Sequence, residues 1–146
     1  MAELDGSRVV VVGASSGIGR AVAELALPLL AANASITLTS GQLSRKYGVG
    51  TLLKGSVNAA VEASGKHLAK ELAPRRVNVV SPGVTDTAAW GEPGSARRTE
   101  TLARAAAQLP VRRAGTAGDV AQAYLLAMTN PSMTGAVLDV DGGGLL

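Results

Sequence analysis

Four consecutive valines, Val9-Val10-Val11-Val12, run into Gly13-Ala14-Ser15-Ser16-Gly17-Ile18-Gly19, and no other stretch constrains the fold as much. A continuous β-branched run predicts a strand covered on both faces, as in a parallel sheet. Asp5-Gly6 just before it is a turn signal. Gly13 lets the chain turn sharply off the strand, Gly17 lets the backbone approach a ligand with no Cβ in the way, and Gly19 lets the next helix lie close on the sheet. That helix is expected from about Ile18 to Leu27, with Ile18, Val22 and Leu25 on one face and Pro28 ending or kinking it. Its N-terminus offers free N–H groups and a partial positive charge to an anion such as a pyrophosphate. The spacing is G-x-x-x-G-x-G, not the commoner G-x-G-x-x-G, and a turn that holds no ligand is the competing reading.

The rest of the chain alternates between strand and helix signals. Ser35 to Thr39 reads as a short strand, Gln42 to Gly50 as a polar loop, and Thr51 to Ala73 as a long helix. Its apolar stripe is Leu53, Val57, Ala60, Val61, Leu68 and Leu72. Gly55 and Gly65 weaken that helix by roughly 1 kcal/mol each against Ala. Close packing, against another subunit in particular, would offset the loss. Arg76 to Ser81 reads as a third strand, and Pro82-Gly83 opens a loop that runs past Trp90. Ala96 to Gln108 is a third helix, followed by a loop from Leu109 to Gly115. Thr116-Ala117-Gly118-Asp119 has the form of a capping box with Asp in place of Glu, opening a helix to about Thr129. Ala136 to Val140 is a fourth strand. The alternation implies parallel strands joined by right-handed helical crossovers. The expected architecture is α/β: a Rossmann-like three-layer α/β/α sandwich with a reduced, mostly parallel sheet, in one domain over residues 1–146.

Composition removes several function classes. The 146 residues include no Cys and one His, His67, so thiolate metal sites, disulfides and a Cys nucleophile are excluded. With no Phe, one Trp and two Tyr, the core must be aliphatic. The net charge of +3 comes from scattered pairs such as Arg75-Arg76 and Arg97-Arg98, with no basic stripe interleaved with aromatic rings, so nucleic acid is not the expected partner. Met1 to Arg8 carries Glu3 and Asp5 and does not read as a signal peptide. The stretch from Ala21 to Ala32 contains Glu24 and Pro28 and is too short to span a membrane. A cytoplasmic location is the default expectation.

Several segments carry a resemblance. Val-Gly-Ala-Ser-Ser-Gly-Ile-Gly-Arg at 12–20 resembles the cofactor turn of the short-chain dehydrogenases/reductases, with Val12 in place of the usual leading Thr. Ile36-Thr37-Leu38-Thr39-Ser40-Gly41 is similar to the strand that carries the family's catalytic serine. The likeness returns in Leu68 to Gly83, in Arg113 to Ala121 and in Thr134 to Gly143, in the family's order. It implies that Gly13, Ser15, Ser16, Gly17, Ile18 and Gly19 hold the pyrophosphate of NAD or NADP. It also implies that Pro82, Gly83, Val84 and Thr87 meet its nicotinamide side. Ser40 would bind the oxygen of a small carbonyl or alcohol substrate, with Thr39 as a neighbour able to serve instead. Trp90 falls in what resembles the variable substrate loop, where it could line a pocket or plug it. The family also assembles as homodimers and homotetramers.

The departures from the family's pattern are equally specific. In the family several strands and helices separate the first helix from the serine strand, including an acidic residue that holds the adenosine ribose. Here Leu27 to Asn33 joins them, and no Asp or Glu lies between Glu24 and Glu62. The sheet then has to close either by direct pairing of the first two strands or by exchange with a second subunit. NAD and NADP cannot be told apart from the acidic position, although Arg20, Arg45 and Lys46 lean towards NADP. The family's Tyr-x-x-x-Lys falls on Lys54 and Asn58. A tyrosine near pKa 10 needs roughly three units of acidification to act near neutral pH, a task the lysine performs. Lys54 and Tyr47 are therefore the candidate replacements for the missing acid. Three readings follow: an oxidoreductase that transfers hydride with altered catalysis, a non-catalytic dinucleotide-binding or assembly protein of the same fold, or a shortened product of a dehydrogenase gene that binds nothing well.

Overall fold

A computed structural model describes the backbone of Val9–Gly13 and the whole of residues 30–146. The glycine turn beyond Gly13 (Ser15, Ser16, Gly17, Ile18, Gly19), the helix expected from Ile18, and Arg20 lie outside the described residues.

The described elements are β1 (Val9–Gly13), β2 (Ser35–Thr39), α1 (Leu52–Glu71), β3 (Arg76–Pro82), β4 (Thr85–Asp86), α2 (Ala96–Gln108), β5 (Gly115–Thr116), α3 (Ala117–Thr129) and β6 (Val137–Val140). Four of the strands form one sheet in the order β1-β2-β3-β6, and every neighbouring pair is parallel. This is the Rossmann-like α/β fold that the alternation of strands and helices implies. β1 pairs directly with β2, Val9 opposite Ser35 and Gly13 opposite Thr39, so the sheet closes within one chain.

Side chains alternate across the sheet, and the two faces have different chemistry. Ile36 and Leu38 of β2 and Val77 and Val79 of β3 point to α1, where they bury Val61. Leu30, Leu68, Ala69, Leu72 and Val137 close the rim of this aliphatic core. On the opposite face α3 is tied down by hydrogen bonds. Ser35 Oγ donates to the carbonyl of Ala127 (3.1 Å), and Arg76 donates to those of Ala127 (2.7 Å) and Met128 (2.6 Å). Burial lowers the pKa of that arginine.

The apolar stripe expected on α1 is only half right. Val61 is buried and Leu68 and Leu72 pack on the core, but Leu53 is 78% exposed and Val57 37% exposed. Ala60 is exposed as well. Steps of four residues drift by about 40° on a helix of 3.6 residues per turn, so the line from Val61 back through Val57 to Leu53 winds off the sheet. The two helix glycines also serve this chain itself. A Cβ on Gly65 would overlap Val79 Cγ2, and one on Gly55 would lie 2.8 Å from the carbonyl oxygen of Leu43. Their close approach is to the protein's own sheet and loop, which removes them as an argument for a subunit contact.

The loop expected past Trp90 contains structure that no periodicity announced. Thr85 and Asp86 of β4 pair in parallel with Gly115 and Thr116 of β5, and a single turn of 3₁₀ helix spans Ala88–Trp90. The capping box at the start of α3 is present in both halves: Thr116 Oγ1 accepts from the Asp119 N–H, and Asp119 accepts from the Thr116 N–H. Hydrogen bonds from Arg113 and then from Thr116 hold the Asp119 carboxyl well below the usual carboxylate range. Among the described residues no helix is long and apolar enough to cross a membrane.

Candidate functional site

In a parallel sheet every strand ends at the same edge, and ligands of open α/β folds bind in the crevice beyond it. Here Gly13 lies opposite Thr39 and Thr39 opposite Val80, so the carboxyl ends of β1, β2 and β3 are side by side. Gly13, Ser40 and the Pro82-Gly83-Val84 segment all sit at that edge. Three segments that the sequence reading singled out separately are thus brought together.

Ser40 is half-buried, with its N–H donating to the carbonyl of Val80 (2.9 Å). Its hydroxyl faces α1 and donates inward, with the carboxylate Oε1 of Glu62 at 3.0 Å and the carbonyl oxygen of Asn58 at 3.1 Å. Glu62 Oε1 also accepts from Ser44 Oγ (2.6 Å) and from Arg45 Nη2 (3.3 Å). The Glu62 side chain is 13% exposed. Arg45 reaches across to Asp139 on β6, with Nη1 2.8 Å from Oδ2. Its hydrogen bond to Asp139 is the main cause that raises its pKa. Thr39, weighed as a substitute for Ser40, points to the other face of the sheet, where its hydroxyl bonds Tyr124. Alternation along β2 sends the two neighbours to opposite sides.

The candidate proton donors are placed differently. Lys54 is exposed in the first turn of α1. Tyr47 is 87% exposed and lines a groove of about 350 Å³ with Ser44, Thr51, Leu52 and Ser56. Among the described residues no hydrogen bond joins either of them to Ser40. Asn58, where the resemblance would place a lysine, donates Nδ2 to the carbonyl of Gly41 (3.3 Å). Two of the three basic residues read as leaning towards NADP are engaged by this chain: Arg45 by Glu62 and Asp139, and Lys46 by the carbonyl of Gly144 (3.0 Å).

The segment after β3 is held by its neighbours. A Cβ on Gly83 would lie 2.6 Å from Asp141 Cα, so the passing chain at the end of β6 requires glycine there. The carbonyl of Val84 accepts from the N–H of Gly115 (2.9 Å). Thr87 caps the following turn by accepting from the N–H of Ala89 (3.4 Å), which leaves its own hydroxyl proton uncommitted in that bond. Trp90 is half-buried and its Nε1 donates to the carbonyl of Thr85 (2.9 Å), so it is a fixed wall of this loop. Arg98 of α2 pairs with Asp86 at 2.7 Å.

Sequence reasoning missed Glu62, Ser44 and Asp139. A signal for Glu62 was present: positions 54, 58 and 62 step one turn at a time along one side of a helix, and Glu62 is the first acidic residue after Glu24. Asp139 carried no such signal, because its link to Arg45 spans 94 residues.

The comparisons with known proteins agree with this geometry. The family described as enoyl-(acyl carrier protein) reductase matches residues 20–144. The chain is 40% identical to the short-chain dehydrogenase/reductase ATR9 of Stachybotrys chlorohalonatus, over 77% of this chain and 44% of the relative. It is 35% identical to the short-chain dehydrogenase/reductase ucsE of Acremonium sp, over 98% of this chain and 53% of the relative. A crystal structure of a small-chain dehydrogenase in complex with NADPH superposes with a TM-score of 0.83 at 48% identity, covering 88% of this chain and 59% of that one. The chain belongs to the short-chain dehydrogenase/reductase family. It spans about half the length of the curated relatives it matches.

Proposed function

We propose that this chain binds NAD or NADP across the carboxyl edge of its sheet and acts as an oxidoreductase on a small carbonyl or alcohol substrate. The observation that carries the reading is the alignment of Gly13, Ser40 and Pro82-Gly83-Val84 at one edge of a parallel sheet. The NADPH held by a solved structure 48% identical to this chain supports the choice of cofactor. Gly13 with Ser15, Ser16, Gly17, Ile18 and Gly19 would hold the pyrophosphate. Pro82, Gly83, Val84 and Thr87 would hold the nicotinamide side. Thr87 fits that role because its hydroxyl only accepts within its own turn and has a proton to offer an anion or amide oxygen. NAD or NADP held by these residues would supply the hydride-transfer chemistry.

The chain's own residues position the substrate and move the proton. Ser40 contacts the substrate oxygen. Lys54, exposed at the position of the family's tyrosine, is the first candidate proton donor, and Tyr47 is the second. Loss of a general acid typically lowers rates by about 10²–10⁴, so slow turnover is expected. The working unit is a single domain assembled as a homodimer or homotetramer in the cytoplasm. Exposed Leu52, Leu53 and Val57 on α1 give it an apolar face to share.

A second reading is a non-catalytic dinucleotide-binding or assembly protein. It is favoured by Asn58, whose amide bonds Gly41 where the family has a lysine. Calorimetric titration with NADH and with NADPH separates the readings. Micromolar binding of either, followed by slow turnover that Lys54→Ala abolishes, supports the oxidoreductase. Binding without turnover supports a non-catalytic dinucleotide-binding protein, and no heat at millimolar cofactor sinks the oxidoreductase and leaves a scaffold kept for assembly or for nothing.

A further inference from the structure

We propose that Glu62 fixes Ser40 as a hydrogen-bond acceptor, so that the site takes a hydroxyl group opposite Ser40 in preference to a bare carbonyl oxygen. The inference rests on the reading that Ser40 contacts the substrate, and it adds the substrate's chemical class. A serine hydroxyl has one proton and two lone pairs. Among the described residues both of its close partners, Glu62 Oε1 at 3.0 Å and the Asn58 carbonyl at 3.1 Å, are acceptors. The proton is therefore committed inward, and only lone pairs face out.

The arrangement is rigid enough to enforce the choice. Glu62 is largely buried and is held by Ser44 (2.6 Å) and by Arg45 (3.3 Å), which is itself anchored on Asp139. Ser40 is pinned by its N–H bond to Val80. An alcohol O–H can donate to the exposed lone pair of Ser40. A ketone oxygen in the same place would meet lone pair against lone pair, unless the seryl proton left its partners. Such a turn would leave the Glu62 carboxylate one donor short in a site with little access to water. Glu62 is thus a positioning residue that acts through Ser40.

The test is a chemical-shift titration of the full chain with cyclohexanol and with cyclohexanone, following the backbone amides of Ser40 and Gly41. The two probes share ring size and differ in the oxygen. The expected result is that cyclohexanol binds at least about fivefold tighter, the effect of one net hydrogen bond. Ser40→Ala should bring the two affinities within about twofold. Glu62→Gln should keep the preference, because Oε1 alone receives all three donors and the carboxamide retains that oxygen. Glu62→Ala should narrow it by at least about threefold, since only the Asn58 carbonyl is left to hold the proton. Equal or tighter ketone binding by the unaltered protein overturns the proposal, as does a full preference in Glu62→Ala. If neither probe shifts Ser40 or Gly41, the reading of Ser40 as a substrate contact fails, and this inference with it.

Discussion

The two faces of the central sheet are built on opposite principles. Towards α1 the strands present Ile36, Leu38, Val77 and Val79, an aliphatic surface whose cohesion is non-directional. Towards α3 the same strands present Ser35, Arg76 and Asn78, which hold that side through hydrogen bonds of fixed geometry. Asn78 is fully buried, donates to the carbonyl of Met133 (2.9 Å) and accepts from the N–H of Ala136 (3.1 Å). It joins the turn after α3 to the start of β6. The apolar face tolerates any packing that fills its volume, whereas the polar face needs each particular partner.

Substitutions on the two faces test that contrast. The largest effect is expected for Asn78→Ala, which strands the N–H of Ala136 and removes one of the two donors to the Met133 carbonyl, leaving Arg76 at 3.0 Å. Unfolding by urea should show a loss of about 2–3 kcal/mol, from ~1–3 kcal/mol for the unsatisfied N–H and the lost second bond to Met133. A loss below about 1 kcal/mol would mean that the polar face is not what holds this side. On the apolar face, Gly65→Ala forces a methyl group into Val79. Overpacking of about 1–3 kcal/mol should exceed the gain in helix propensity of about 1 kcal/mol. Combining it with Val79→Ala should couple favourably by at least about 0.5 kcal/mol, because the second change vacates the space the first one needs. Strict additivity in that double-mutant cycle would show that the helix moves instead of clashing.

The smallest effect should have the opposite sign. Thr37 is fully buried on the polar face, and its hydroxyl has no hydrogen-bond partner among the described residues. Thr37→Val keeps the branched shape and removes the unmatched oxygen, so stability should rise by up to about 1 kcal/mol. A drop of similar size would place a hydrogen-bond partner at Thr37 Oγ1.

Elements defined by local chemistry were legible in advance. β2 falls at Ser35–Thr39 and α2 at Ala96–Gln108, both as the periodicity implied, and the Thr116–Asp119 box caps α3. The β4–β5 ladder was not legible, since a two-residue pairing across 30 positions leaves no pattern in either segment. The outward-turned half of the α1 stripe was misread because steps of four were treated as one face. At the candidate site, Ser40 and the Pro82-Gly83 segment could be named from the family resemblance. Their neighbours could not.

The sequence by itself determined the order of elements, the parallel sense of the sheet and the capping of α3. Those follow from period, turn residues and crossover handedness, all of which act over short stretches of chain. Only the tertiary structure decided that β1 lies against β2, that Thr39 and Ser40 serve opposite faces, and that Glu62, Arg45 and Asp139 close around the serine. Such contacts join residues tens of positions apart, and their selection depends on the packing of the whole sheet and its helices, which no local pattern encodes.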